Sequence, residues 1–188
     1  MTPQLLERDL VEDLHECLDG MLYQDVHGKL VPLKVFRHDV PIPHHKDYTD
    51  LEYNDVEKEA DPESPELYFD SAENTEDDAF PYVIVRLSQG NVKNPDEPQL
   101  VTVNFIIGVY DPDERHRGHD GVMNIISRIY ERYAKNPIVH GSKAKIHFDG
   151  EQLLFHWVLQ DDDTWPYYFG AVRAEFEIMP IERVSKYT

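Results

Sequence analysis

The sequence predicts an α+β fold, a mainly antiparallel β-sheet with two helices packed on one face. Three observations lead there. Leu6 to Met21 and Val122 to Tyr133 place apolar residues at helical spacing. Tyr82 to Leu87 and Leu100 to Tyr110 are β-branched runs joined by a polar, turn-forming cluster, the pattern of a long-looped hairpin. Phe169 to Ile178 alternates one dry face with one wet face. Hairpin-linked strands with enough helix to cover one side make a two-layer α+β domain.

Near the start, Leu6, Leu10, Leu14, Cys17, Leu18 and Met21 form one helical stripe. Thr2 is placed to act as N-cap, Pro3 fits the first helical position, and Gly20 stands where such a helix stops. Leu30 to Phe36 reads as a strand with Leu33 and Val35 on one face, and Pro32 confines it to an edge or to its own beginning. Asp39 to His44 contains Pro41 and Pro43 and reads as an extended connector.

Between Lys46 and Phe80 stand fourteen acidic residues against two lysines, so this stretch holds −12 of the chain's net −19. Its apolar residues are scattered and Pro62 and Pro65 interrupt any helix, so residues 46–79 read as an acidic, mobile insertion in a single domain spanning 1–188. The alternative is that Leu67 to Phe69 docks as an edge strand on a neighbouring surface.

In Leu100 to Tyr110, Val101, Val103, Phe105, Ile107 and Val109 point one way, while Thr102, Asn104, Ile106, Gly108 and Tyr110 point the other. The first set packs on a core; the mixed reverse face meets solvent or another subunit. Gly108 marks close packing or a bulge. Val122, Ile125, Ile126, Ile129, Tyr130 and Tyr133 then form a wide apolar stripe, with Asp120 the expected cap and Asn136-Pro137 the stop. Ala144 to Phe148, Gln152 to Val158 and Phe169 to Ile178 follow as strands.

Composition narrows the function classes. The chain has 188 residues, with 37 acidic and 18 basic side chains. A surface that grips phosphates draws its affinity from clustered Lys and Arg, which this balance disfavours. No apolar run approaches the ~18 residues of a membrane span. The first twenty residues form an acidic amphipathic stretch rather than a basic leader, and Cys17 has no second cysteine to pair with, so a reducing cytosol is the expected home.

Ten histidines invite a metal reading, but no His-Glu-x-x-His, Cys-x-x-Cys or twelve-residue calcium loop occurs. Arg115 and Arg117 would oppose an ion beside Asp111 and Asp113. Asp161, Asp162 and Asp163 read as a solvated turn before Trp165-Pro166 rather than as a magnesium or acid–base cluster. Cys17 falls on the apolar stripe of its helix and reads as a small buried hydrophobe. There is no Gly-x-Ser-x-Gly elbow, phosphate loop or dinucleotide fingerprint. A non-enzymatic protein without a cofactor is expected.

Four segments together carry a family resemblance: Phe80 to Leu87, Val103 to Asp111, Gly121 to Ile126, and Leu159 to Gly170. With the N-terminal helix, in this order, they resemble the tail-completion, or tail-terminator, proteins of long-tailed bacteriophages and prophages. The likeness covers that helix and roughly residues 80–182; the acidic stretch is longer than the family pattern.

The resemblance implies a virion protein assembled in the bacterial cytoplasm. It implies a homo-oligomeric ring, commonly of six subunits, that caps the tail tube and connects it to the head–neck complex. Its partners would be its own copies, the tube protein and the neck connector, with DNA passing through without tight binding. Such a ring needs a patch used head to tail so that rotation closes.

The expected subunit contacts are Thr102, Asn104, Ile106 and Tyr110 on the reverse face, with the aromatic tract Trp165, Tyr167, Tyr168 and Phe169. The same aromatics could instead finish the core. An acidic lumen would repel phosphate, and Asp77, Asp78, Asp161, Asp162 and Asp163 are the expected channel or rim. Two other readings share the composition: a head–tail joining protein, and an acidic DNA mimic that blocks a nucleic-acid-binding host protein.

Overall fold

The computed structural model of the chain describes residues 1–40, 79–94, 96–115 and 117–180. All of the insertion at 46–79 but its last residue, with Asp77 and Asp78 and the strand alternative at Leu67 to Phe69, and most of the connector Asp39 to His44, lie outside those residues. Among the described residues the chain runs α1 (Pro3–Cys17), β1 (Leu22–Gln24), β2 (Leu30–Pro32), β3 (Lys34–Arg37), β4 (Tyr82–Asn91), β5 (Gln99–Tyr110) and α2 (Gly118–Lys135). There follow β6 (Lys145–Ile146), β7 (Phe148–Asp149), β8 (Gln152–Leu153), β9 (Phe155–Leu159) and β10 (Tyr167–Ile178).

Among the described residues the main sheet has six strands in the order β3-β4-β5-β10-β6, with β9 beside β6 on the same outer side of β10. Only β3 and β4 are parallel; β4–β5, β5–β10, β10–β9 and β10–β6 are antiparallel. The predicted α+β architecture is the observed one. β5 and β10 pair along their full lengths, from Tyr110 against Tyr167 to Gln99 against Ile178. This long pair is the spine of the sheet, and both helices pack on one face of it.

Alternation explains why that face is dry. Val83 and Val85 of β4, Val103, Phe105 and Ile107 of β5, and Val172, Ala174, Phe176 and Ile178 of β10 are fully buried. Against them α1 lays Leu6, Leu10 and Leu14, and α2 lays Val122, Ile125, Ile129 and Tyr133. Phe176 stands edge-on to both Phe105 and Tyr133, at centroid distances of 6.3 and 5.4 Å.

Charge is buried here as well, and it is paired. Glu7 of α1 is wholly buried, accepting from Arg37 Nε at 2.8 Å and lying 2.7 Å from His38 Nδ1. That anchors the end of β3 to the helix. Asp13 accepts from Arg132 Nη2 at 2.6 Å, which ties α1 to α2. Burial, with the Asp13 carboxylate beside it, pushes the Tyr133 hydroxyl well above its ordinary pKa.

Several element boundaries differ from the sequence reading. Thr2 caps α1 as expected, its side chain accepting from the Leu5 N–H at 3.4 Å. The predicted strand 30–36 is broken at Leu33, whose N–H turns to the Met21 carbonyl, so β2 pairs with β1 while β3 joins the main sheet. The hairpin strands reach Asn91 and Gln99, which shortens the connecting loop, and the register shifts between Leu87 and Gln89. α2 begins at Gly118 with Arg117 at the cap, and Asp120 lies inside its first turn. The predicted strands at 144–148 and 152–158 each split in two, and β10 starts at Tyr167.

Candidate interaction face

The side of the sheet opposite the helices is built from the alternate residues of β4, β5, β10 and β9, and the pairing registers stack them in rows. Tyr82, Gly108 and Phe169 align across three strands. Next come Ile84, Ile106, Ala171 and Val158, then Arg86, Asn104, Arg173 and His156, then Gln89, Thr102 and Glu175. One end of the face is therefore aromatic, its middle aliphatic, and its far end polar with a cationic row.

Gly108 is what lets the aromatic end close up. A Cβ there would stand 2.5 Å from Tyr82 Cζ, so only a glycine lets the Tyr82 ring lie flat over β5. Phe80 joins this ring at 5.0 Å and touches Tyr167 and Phe169 at 5.1 and 5.9 Å, while Tyr110 meets Tyr167 at 5.4 Å. These centroid distances are those of aromatic pairs that attract beyond their area. All five rings are half-buried, held by one another with one side still open. Burial raises the Tyr82 hydroxyl above its ordinary pKa, and the Asp39 carboxylate adds to the shift.

Beside the rings, Ile106 and Ala171 are half-exposed and Val158 is 60% exposed. Asn104, Ile106, His156, Val158, Ala171 and Arg173 line a shallow groove of about 370 Å³. Arg86 is committed to the chain leaving β3, with Nε donating to the His38 carbonyl at 3.0 Å and Nη2 to Asp39 Oδ2 at 3.1 Å. Arg173 is exposed and has no ion-pair partner among the described residues.

The sequence-predicted contacts divide on this geometry. Asn104, Ile106, Tyr110 and Tyr167 lie on the open face. Trp165 is 47% exposed in the loop at the aromatic end of the sheet. Tyr168 is a correction: only 5% exposed, it points to the helix side, where its ring lies over Gly118 and stands 4.9 Å from His119. A Cβ on Gly118 would fall 2.0 Å from that ring, so Tyr168 seals the start of α2 and is closed to another chain.

Thr102 is a second correction. It sits on the expected face but only 7% of it is exposed, between Gln89 and Glu175. Phe80, Tyr82, Phe169, Arg173 and His156 complete the face; of these only Phe169 is an expected contact. The parity of Tyr82 with Ile84, opposite Val83 and Val85, was the signal for β4.

Asp161, Asp162 and Asp163 are exposed in the β9–β10 loop. Asp163 Oδ1 accepts from the Trp165 N–H at 3.2 Å and the Thr164 hydroxyl donates to the Tyr167 carbonyl, which makes this a side-chain-braced turn. Elsewhere, Cys17 lies against α2, where burial first and the Asp13 carboxylate second push its thiol up to about 12. Among the described residues no group of three or more His, Cys, Asp or Glu side chains is placed to hold a metal ion. No described helix is long and apolar enough to cross a membrane.

A scan against models of known protein families finds no match to this sequence. A search of curated proteins finds none either, so what the chain does has to be read from its residues and this open face.

Proposed function

We propose that the chain is a structural protein of a bacteriophage tail, joining its own copies through the open sheet face into a ring that caps the tail tube and meets the neck. The observation that supports this best is the asymmetry of the sheet. One face is sealed by two helices. The other carries five half-buried aromatic rings, an aliphatic row and an exposed arginine.

Half-buried aromatics continued by an aliphatic row, with polar groups at the far end, have the composition of an association surface. Charge favours a copy of the same chain as the occupant. With a net charge of −19, most of the surface repels a second copy. This face is an exception, because the exposed Arg173 offers a positive partner to an acidic neighbour. A contact between unlike patches repeats head to tail and closes when the rotation allows, as a tube cap requires.

The test is genetic and visual. In a phage carrying this gene, deletion should give tails of irregular length or tails unjoined to heads, and substitution of Ile106 and Phe169 by lysine should reproduce the defect. Virions that assemble normally without the gene would overturn the proposal. Overlong tubes point to the tube cap; tails of normal length lying free of heads point to the neck.

A further inference from the structure

The outer edge of β9 is an unpaired edge of the main sheet among the described residues. In the antiparallel ladder with β10, the Gln160 N–H donates to the Phe169 carbonyl and the Glu175 N–H to the Leu154 carbonyl. Bonded positions alternate, so residues 154, 156, 158 and 160 face β10 while Phe155, Trp157 and Leu159 turn their N–H and C=O groups outward. Those outward groups have no partner among the described residues.

Soluble chains usually blunt such an edge with proline, lysine or a bulge. β9, Phe-His-Trp-Val-Leu, has none of these. Its large side chains are left in water on both faces: Trp157 is 53% and Val158 60% exposed. On the helix side Tyr130 of α2, itself 48% exposed, stands 5.4 Å from Phe155 and extends the aromatic strip.

Charge selects the occupant. The β7–β8 turn ahead of the strand carries exposed Asp149 and Glu151, and the loop after it carries exposed Asp161, Asp162 and Asp163. The basic side chains Lys145, His147 and Arg173 are engaged or set back. Lys145 and His147 are both held by Glu177, at 3.0 and 2.5 Å, and Arg173 lies one strand inward, in register with His156.

We propose that this edge takes up an extended protein segment with an apolar centre flanked by lysine or arginine, adding it as a further strand. Outward N–H and C=O groups supply the ladder. Alternate apolar residues of the segment lie on Phe155 and Trp157, and its basic ends meet the two acidic loops. This holds whether or not copies assemble through the sheet face.

The probe is a synthetic nonapeptide, Lys-Lys-Val-Thr-Leu-Thr-Val-Lys-Lys, titrated calorimetrically into the full chain beside the same peptide with glutamate for every lysine. The basic peptide should bind, more weakly as salt rises, and the acidic one about tenfold more weakly or not at all. Trp157→Pro removes an outward N–H without touching the β10 ladder and should abolish binding. The triple variant Glu151→Lys, Asp161→Lys, Asp162→Lys changes exposed charges and leaves the Asp163 brace intact; it should reverse the preference, which covers the case in which Trp157→Pro fails to fold. Equal binding of both peptides, or binding of neither, overturns the proposal. So does a concentration-dependent dimer that is lost in Trp157→Pro while the basic peptide fails to bind, since the edge would then belong to a second copy.

Discussion

Gly108 offers a test of the open face in which a change of sign is expected. Replacing it with alanine places a Cβ 2.5 Å from Tyr82 Cζ and 2.7 Å from its Cε1, well inside contact, and the rigid ring has to leave β5. Overpacking of this kind costs about 1–3 kcal/mol. Against that, alanine in a strand is better than glycine by about 0.5–1 kcal/mol because less backbone freedom is lost on folding. The net expectation for Gly108→Ala is a loss of up to about 2.5 kcal/mol.

In a Tyr82→Ala background the ring is gone and only the backbone gain remains. The same substitution should then stabilise by about 0.5–1 kcal/mol. Urea unfolding of the four proteins of this double-mutant cycle measures both values and their coupling. If Gly108→Ala changes stability in the same direction in both backgrounds, Tyr82 does not lie over Gly108 as described, and the packing of the aromatic end is wrong.

Other expectations follow from groups away from that row. Arg132→Ala leaves the buried Asp13 carboxylate uncompensated and should cost about 3–5 kcal/mol in chemical unfolding, whereas Lys135→Ala, which breaks a solvent-exposed pair with Glu131, should leave the urea midpoint nearly unchanged. For Glu177, burial works against ionisation, but hydrogen bonds from His147 and Lys145 outweigh it and hold the carboxyl below its ordinary 4.5. A depressed folded-state value stabilises above the unfolded value and is lost as pH falls through the folded one. The deficit of a Lys145→Ala, His147→Ala variant should therefore be about 1–3 kcal/mol at pH 7 and shrink on acidification below 4.5, as read from urea midpoints. A shift of the Cys17 thiol from 9.0 to about 12 lowers its thiolate fraction about a thousandfold, so native protein should label very slowly with iodoacetamide and rapidly once unfolded. Fast native labelling would mean the helix pair opens there.

Much of the sheet is legible in residue types alone. Alternation along 100–110 and 169–178 assigns each side chain to a face, because a half-buried strand has no other way to separate apolar from polar groups. The same parity already puts Tyr168 with Val172, inside; treating 165–169 as one aromatic tract hid this. The start of α2 was misplaced because Arg117 caps it without a side-chain bond, while Asp120 has the chemistry of a cap but stands in the first turn. What sets this boundary is Tyr168 closing over Gly118, a contact between residues distant in sequence.

Nor do residue types reveal that one apolar run will be cut into pieces belonging to different sheets, as at Leu33. Tyr110, Tyr167 and Phe169 are legible as contacts on this face, but Phe80 and Tyr82 are not, for a related reason. Phe80, Tyr82, Tyr110, Tyr167 and Phe169 come from three parts of the chain, and only the register of β4, β5 and β10 brings them together.

The central claim is that identical copies close into a ring through the open sheet face. It is tested most directly by the solution mass from micromolar to near-millimolar concentration, with negative-stain images of the same samples, for the native chain and for Ile106→Lys with Phe169→Lys. The account predicts a mass that rises to a plateau near six copies, ring-shaped particles, and a folded monomer for the double variant. A native chain that stays monomeric across that range, or an assembly that survives the double variant unchanged, would contradict it.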